Sequence, residues 1–154
     1  MTQILSQFPV KKKEFVIDSC VFVKLFLQEK DQDAAIKFLR RAIVEDYLLY
    51  VPSIFIYEIF AVCADKKLDV NEVFETFEIY NGNGLRVIDL SEKLLNSAID
   101  MTKHGSKKSG YPSFYDCVYH AIALEKKCYF ITSDDKHIVK SKKFGFVKNL
   151  REIA

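Results

Sequence analysis

No run in these 154 residues approaches the roughly 18 consecutive apolar positions that a membrane-crossing helix requires. The opening MTQILSQFPVKKKEF places its charges after a short apolar stretch, the reverse of a secretory signal. A soluble, cytoplasmic protein is expected. An excess of one charge is also missing: 23 Lys and Arg stand against 21 Asp and Glu, a formal net charge of +2. No global positive field therefore commits the chain to nucleic acid, and any such role falls to local clusters. Lys11–Lys13 form one, and Lys103, His104, Lys107 and Lys108, beside Gly105 and Gly110, form another. Metal-binding cysteine patterns are lacking too. Cys20, Cys63, Cys117 and Cys128 are scattered, with no C-x-x-C pair and no His pair at zinc-like spacing. Their apolar surroundings mark them as reduced core residues of a reducing compartment. With no repeat, low-complexity segment or linker, and with 49% hydrophobic residues, the chain is expected to fold as one domain over 1–154. Residues 1–14 would be an N-terminal extension.

What is present is an alternation of strand and helix signals. FVID (15–18) reads as a short buried strand. Ala34, Ala35, Phe38, Leu39, Ala42 and Ile43 recur at helical spacing, with Lys37, Arg40 and Arg41 opposite. Leu48–Val51 is a second strand, ended by Pro52, and Ser53 is a good N-cap for a helix carrying Ile56, Ile59, Phe60 and Cys63. A further helix over 70–79 closes in the turn signal Asn81-Gly82-Asn83-Gly84. Leu85–Leu90 reads as a strand, Ser91 as the cap of the next helix, and Lys103–Ser113 as a mobile loop. A helix over Phe114–Lys126, a strand over Cys128–Thr132, a short helix and a last strand near Phe146–Val147 complete the chain. This order predicts an α/β fold with a central, mainly parallel sheet, and places the functional crevice outside the carboxyl ends of its strands.

Four carboxylates stand where apolar residues or none charged are expected. Asp18 ends FVID, Glu58 interrupts the apolar face of SIFIYEIFAVC, Asp116 lies in the first turn of SFYDCVYHAIA, and Asp134 follows YFIT. Converging acids repel one another, and a divalent cation is the usual remedy. Hard ions with oxygen ligands, Mg²⁺ or Mn²⁺, suit phosphodiester hydrolysis by an activated water. Plainer roles exist for each acid: Asp18 as a helix cap, Glu58 as a solvent-facing residue, Asp116 as the acid of a capping box Ser113-x-x-Asp116. Asp135 competes with Asp134 for the fourth place.

The succession FVIDSCVFV, VPSIFIYEIFAVC and FYDCVYHAIALEKKCYFITSDDKHI resembles the PIN-domain ribonucleases, and within them the VapC-type toxins of toxin–antitoxin pairs, from about Phe15 to Val147. The resemblance implies a Rossmann-like α/β/α sandwich and a metal-dependent endoribonuclease that leaves a 5′-phosphate and a 3′-hydroxyl. Asp18, Glu58, Asp116 and Asp134 match the metal-holding acids, with Ser19 and Thr132 as supporting hydroxyls. It further implies an RNA substrate, a homodimer and an antitoxin partner. Lys107 and Lys108 are candidate RNA contacts. Cys20 stands where Asn or Ser is frequent, and the stretch before the first strand is longer than usual, an extra strand, an RNA contact or a dimer element. Other readings are a PIN-type RNA-processing nuclease without an antitoxin, a catalytically silent binding module of the same fold, and a phospho-accepting receiver-like domain. The last wants paired acids near its first strand, where FVIDSC offers one.

Overall fold

The computed structural model describes residues 11–154. Of the expected extension, residues 1–10 lie outside that range. Lys12 and Lys13 are paired with Asp46 and Glu45, and Glu14 already belongs to the first strand.

Among the described residues five strands, β1 (Glu14–Ile17), β2 (Leu48–Pro52), β3 (Leu85–Ile88), β4 (Tyr129–Thr132) and β5 (Val147–Asn149), form one parallel sheet in the order β3-β2-β1-β4-β5. Parallel neighbours need crossovers, and helices supply them. They are α1 (Ser19–Val23), α2 (Gln32–Val44), α3 (Ile54–Lys66), α4 (Val70–Asn81), α5 (Glu92–Thr102), α6 (Phe114–Lys126) and α7 (Asp135–Ser141). Val16 and Ile17 of β1 and Phe130 and Ile131 of β4 are completely buried, as central strands must be when both faces of a sheet are covered. Helix α6 lies against β1, β2 and β4 with α5 packed on it. Helix α2 turns Ala35, Phe38, Leu39 and Ala42 inward, the period read from the sequence. Phe22 meets Phe55 and Tyr80 edge-on at centroid distances of 5.6 and 5.8 Å, joining α1, α3 and α4.

Strands β1 to β3 progress in one direction, and the chain then returns to place β4 on the other side of β1. That reversal makes the carboxyl ends of β1 and β4 the topological switch point of the sheet, the place where such folds bind ligands. Asp18 and Asp134 follow those two ends. Lys11–Lys13 precede β1 and so stand at the opposite end of the sheet.

Several local expectations are revised. Ser53 occupies the cap position of α3 but has helical dihedrals and makes no side-chain cap bond, and Pro52 belongs to β2, paired with Ile88. The third strand stops at Ile88 rather than Leu90. Within the Lys103–Ser113 loop, residues 106–110 form a tight turn closed by reciprocal bonds, Ser106 N–H to the Gly110 carbonyl at 3.2 Å and Gly110 N–H to the Ser106 carbonyl at 2.7 Å. In the Asn81–Gly84 turn only Gly84 has a positive φ, 101°, and a β-carbon there would collide with the Tyr47 carbonyl oxygen. Among the described residues no helix is long and apolar enough to cross a membrane.

Candidate active site

The end of β1 is fastened to β4 before any side chain is considered. The register pairs Ile17 with Ile131, and the Asp18 N–H donates to the Ile131 carbonyl at 3.0 Å. The Asp18 carboxylate, 6% exposed, then accepts from the Thr132 hydroxyl at 2.7 Å through Oδ2. Through Oδ1 it accepts more distantly from Cys20 N–H and the Ser19 hydroxyl, both at 3.4 Å. Asp18 is thus both the N-cap of α1, a helix the sequence did not announce, and a member of the crevice. Thr132 is spent in both directions, because its oxygen also accepts the Asp134 N–H at 3.0 Å.

Glu58 is half-buried on α3, not turned to solvent, and the buried Tyr119 hydroxyl donates to its Oε1 at 2.5 Å. Tyr119 follows Asp116 by three positions on α6, so both share one helix face. Asp116 makes only half of a capping box. Its N–H donates to Ser113 Oγ at 3.2 Å, but the Ser113 hydroxyl donates to Oδ2 at 2.7 Å, so the side chain is held by a hydroxyl rather than by the Ser113 backbone. Asp134 caps α7, accepting from Lys136 N–H at 2.9 Å and His137 N–H at 3.2 Å. Asp135 is drawn elsewhere, accepting from Arg151 at 3.0 Å and Asn149 at 2.8 Å.

The acids feel one another. Burial pushes the Asp18, Glu58 and Asp116 carboxyls above their ordinary range. Asp116 adds to the rise at Asp18, Asp18 and Asp116 add to that at Glu58, and Asp134 adds to that at Asp116. The bonds from Thr132, Tyr119 and Ser113 each work the other way. Among the described residues no group of three or more His, Cys, Asp or Glu side chains stands close enough together to hold a metal ion by itself. An open set of carboxylates nevertheless fits Mg²⁺ or Mn²⁺, since Mg²⁺ usually keeps several waters and takes one or two carboxylates together with substrate phosphates. The donors are all hard oxygens, as such ions prefer.

Three side chains near the acids were not singled out from sequence. Tyr119 was legible as a hydroxyl inside an otherwise apolar helix, which needs a partner when buried. His120 and His137 carried no local signal. His120 Nε2 lies 2.6 Å from the Gly145 carbonyl and must carry the proton, which leaves its Nδ1 to accept from His137 Nε2 at 3.3 Å. The remaining His137 Nδ1 has no hydrogen-bond partner among the described residues and lies 3.9 Å from Asp116 Oδ2. Burial holds both imidazoles down at about 4. Cys63, Cys117 and Cys128 are free and buried as expected, whereas Cys20 is half-buried beside the acids, accepting from the Ser133 hydroxyl at 3.2 Å. Burial and the nearby Asp18 push its thiol far up, so it stays protonated. Lys107 and Lys108 are exposed on the 106–110 turn, and among the described residues neither joins an ion pair.

One consequence is measurable directly. Tyr119→Phe removes the donor to Glu58 and leaves the aromatic packing on Phe130, whose ring centroid is 5.6 Å away. Loss of such a supporting hydrogen bond typically costs about 10–100-fold in metal affinity or activity. Titration calorimetry with Mn²⁺ should show weakening of that order with the melting temperature little changed.

A doubly covered parallel sheet with carboxylates gathered at its switch point defines an α/β/α domain with an acidic crevice. The PIN-domain family model matches residues 15–143, and the chain belongs to that family. Solved structures agree on the fold. One is the VapBC2 complex of Rickettsia felis bound to promoter DNA (TM-score 0.64, 15% identity, 88% of this chain and 98% of that one). A second is VapC20 of Mycobacterium tuberculosis, described as a sarcin–ricin loop cleaving toxin (0.62, 14%, 86% and 96%). A third is FitAcB of Neisseria gonorrhoeae (0.64, 14%, 90% and 99%). A search of curated protein sequences finds no match.

Proposed function

We propose that the protein is a divalent-metal-dependent endoribonuclease, the toxin of a VapBC-type pair. The observation that carries this reading is the convergence of Asp18, Glu58 and Asp116, each raised by burial and by its neighbours' charge, at the switch point of a PIN-family sheet. Asp18, Glu58, Asp116 and Asp134 would hold Mg²⁺ or Mn²⁺. When bound, such an ion activates water and stabilises charge on the phosphate and the leaving oxygen. The chain's own hydroxyls fix the ligands: Thr132 aims Asp18, Tyr119 aims Glu58, and Ser113 aims Asp116. Ser19 faces Asp18 and Glu58 together. Asp134 is favoured over Asp135 as the fourth acid because its charge reaches Asp116, while Asp135 is bound to Arg151. Water attack on phosphorus leaves a 5′-phosphate and a 3′-hydroxyl.

The toxin assignment is supported by the solved relatives, several of which are toxin–antitoxin complexes. An antitoxin partner and a homodimer belong to the same reading, as do a single domain over 1–154 and a cytoplasmic setting, which four free cysteines suit. The test is incubation of purified protein with a pool of structured RNAs in Mg²⁺, Mn²⁺ or EDTA. Cleavage with either metal, abolished by EDTA, is expected. Intact RNA under all three conditions would remove catalysis from the reading.

A further inference from the structure

Two of the chain's three histidines, His120 and His137, are buried beside the acids, and their hydrogen bonds fix where the protons lie. The Gly145 carbonyl can only accept, so His120 carries its proton on Nε2 and offers the lone pair of its Nδ1 to His137 Nε2–H. In a neutral His137 this leaves Nδ1 bare. Packing holds both rings in place: Phe130 lies against them at centroid distances of 5.8 and 5.6 Å, and Phe144 stands edge-on to His120 at 5.9 Å. The main chain of His137 is tied as well, its N–H to Asp134 at 3.2 Å and its carbonyl to the Ser141 hydroxyl at 2.6 Å.

The bare Nδ1 faces an acid. It is buried, has no hydrogen-bond partner among the described residues, and lies 3.9 Å from Asp116 Oδ2. A protonated Nδ1 beside a carboxylate would close to about 2.7–2.9 Å. The wider gap is the one kept by two atoms that both carry lone pairs. A buried acceptor left without a donor is costly, and one kept in a packed interior calls for an explanation. The charge of Asp134 falls on both groups too, and Lys140 offsets part of it. Electron-rich atoms converging in this way suit a cation. Two metal–ligand bonds of about 2.1 Å span up to about 4.2 Å, so one ion can touch both atoms. Asp116 is the open side of the pair, its side chain 27% exposed against 1% for His137.

We infer that His137 supplies, through Nδ1, a nitrogen ligand to the ion held on Asp116, and that the site therefore prefers first-row transition ions to Mg²⁺. The inference rests on the metal-holding reading of Asp116 and names the class of ion. Mg²⁺ takes oxygen ligands, whereas sites that include nitrogen bind more tightly from Mn²⁺ through Co²⁺ to Ni²⁺. His120 is a positioning residue: bonded at both nitrogens, it cannot reach the ion, and it holds His137 in the tautomer that can.

The test is pulsed electron paramagnetic resonance on the untagged full chain loaded with Mn²⁺, beside calorimetric titration with Mg²⁺ and Co²⁺. The Mn²⁺ echo should carry modulation from a directly bound nitrogen, and isotopically labelled histidine should shift it. His104→Gln should keep the modulation, since His104 is exposed and lies 3.6 Å from Asp100 instead. His137→Phe, which retains a ring against Phe130, should abolish it, lower Co²⁺ affinity by about tenfold or more, and leave Mg²⁺ affinity within about twofold. Bound Mn²⁺ without nitrogen modulation in the wild type overturns the inference, with no variant needed. So does a His137→Phe protein that loses Mg²⁺ and Co²⁺ affinity equally, because the histidine would then only support Asp116. RNA cleavage by the same wild-type protein in Mn²⁺ separates the two levels. Nitrogen-bound Mn²⁺ without cleavage removes the nuclease reading alone, and cleavage with Mn²⁺ bound only through oxygen removes the nitrogen ligand alone.

Discussion

Asp18→Asn should lower metal-dependent RNA cleavage by about 1,000-fold or more while leaving the fold intact. The size follows from losing several kcal/mol of charge stabilisation when an ion is displaced or misplaced, at about 1.4 kcal/mol per tenfold in rate. The fold survives because Asn keeps one side-chain oxygen, which can still accept the Thr132 hydroxyl as Oδ2 does at 2.7 Å, and gives up only the longer bond from Cys20 N–H to Oδ1 at 3.4 Å. It also removes a buried charge whose ionisation is opposed by burial and by Asp116. In EDTA near pH 7 the variant should therefore melt at or above the wild-type temperature. Adding Mn²⁺ should raise the wild-type melting temperature, as any ligand selective for the native state does, and should move the variant far less. Cleavage by Asp18→Asn at the wild-type rate would refute its role. A large fall in melting temperature in EDTA would instead make Asp18 a structural cap.

The second large effect concerns pH. His120 and His137 are held neutral in the fold, down at about 4, against about 6.5 in an unfolded chain. Between these values the unfolded state binds more protons, so stability rises with pH through the window and falls as the pH drops from 6.5 towards 4. At about 1.4 kcal/mol per pH unit, each imidazole contributes up to about 3 kcal/mol of loss, essentially complete near pH 4. The raised carboxyls oppose this. Above their ordinary values of 3.8 for Asp and 4.5 for Glu they destabilise the apo fold as they ionise, so acidification relieves them. Urea unfolding in EDTA at pH 7, 6, 5 and 4.5 measures the balance. His120→Phe should flatten the acid limb whatever constant cost comes from losing the Gly145 bond. An unchanged limb would mean that the imidazoles are already charged in the fold.

The strand and helix alternation was readable because it rests on periodicity, which survives any tertiary arrangement. Phe114–Lys126 was placed to the residue, and its Ser113 cap bond formed as expected. The four candidate acids stood out in the sequence because each broke a pattern. What escaped depended on contacts distant in sequence. Tyr119 finds Glu58 across 61 positions, and His120 finds Gly145 across 25. Helix α1 is five residues long, too short for periodicity to register. Helices α3 and α6 end on Lys67 and Lys127 in the left-handed conformation, where a glycine would have signalled the stop. The capping-box motif at Ser113 and Asp116 misled in the other direction, since matching spacing did not produce the reciprocal backbone bond.

The register that sets Ile17 beside Ile131 acts as a ruler for the chemistry. Neighbouring strands lie about 4.8 Å apart, and that interval is fixed by main-chain hydrogen bonds rather than by side-chain identity. The positions of Asp18 and of the Thr132 that grips it are consequently indifferent to most substitutions in the surrounding core. They are sensitive to length: one residue added to or deleted from β1 or β4 would turn a carboxylate to the opposite face. The 106–110 turn carries no such constraint. Insertions there would leave the grip of Thr132 on Asp18 as it is, so the turn and the sheet end can vary separately in one small fold.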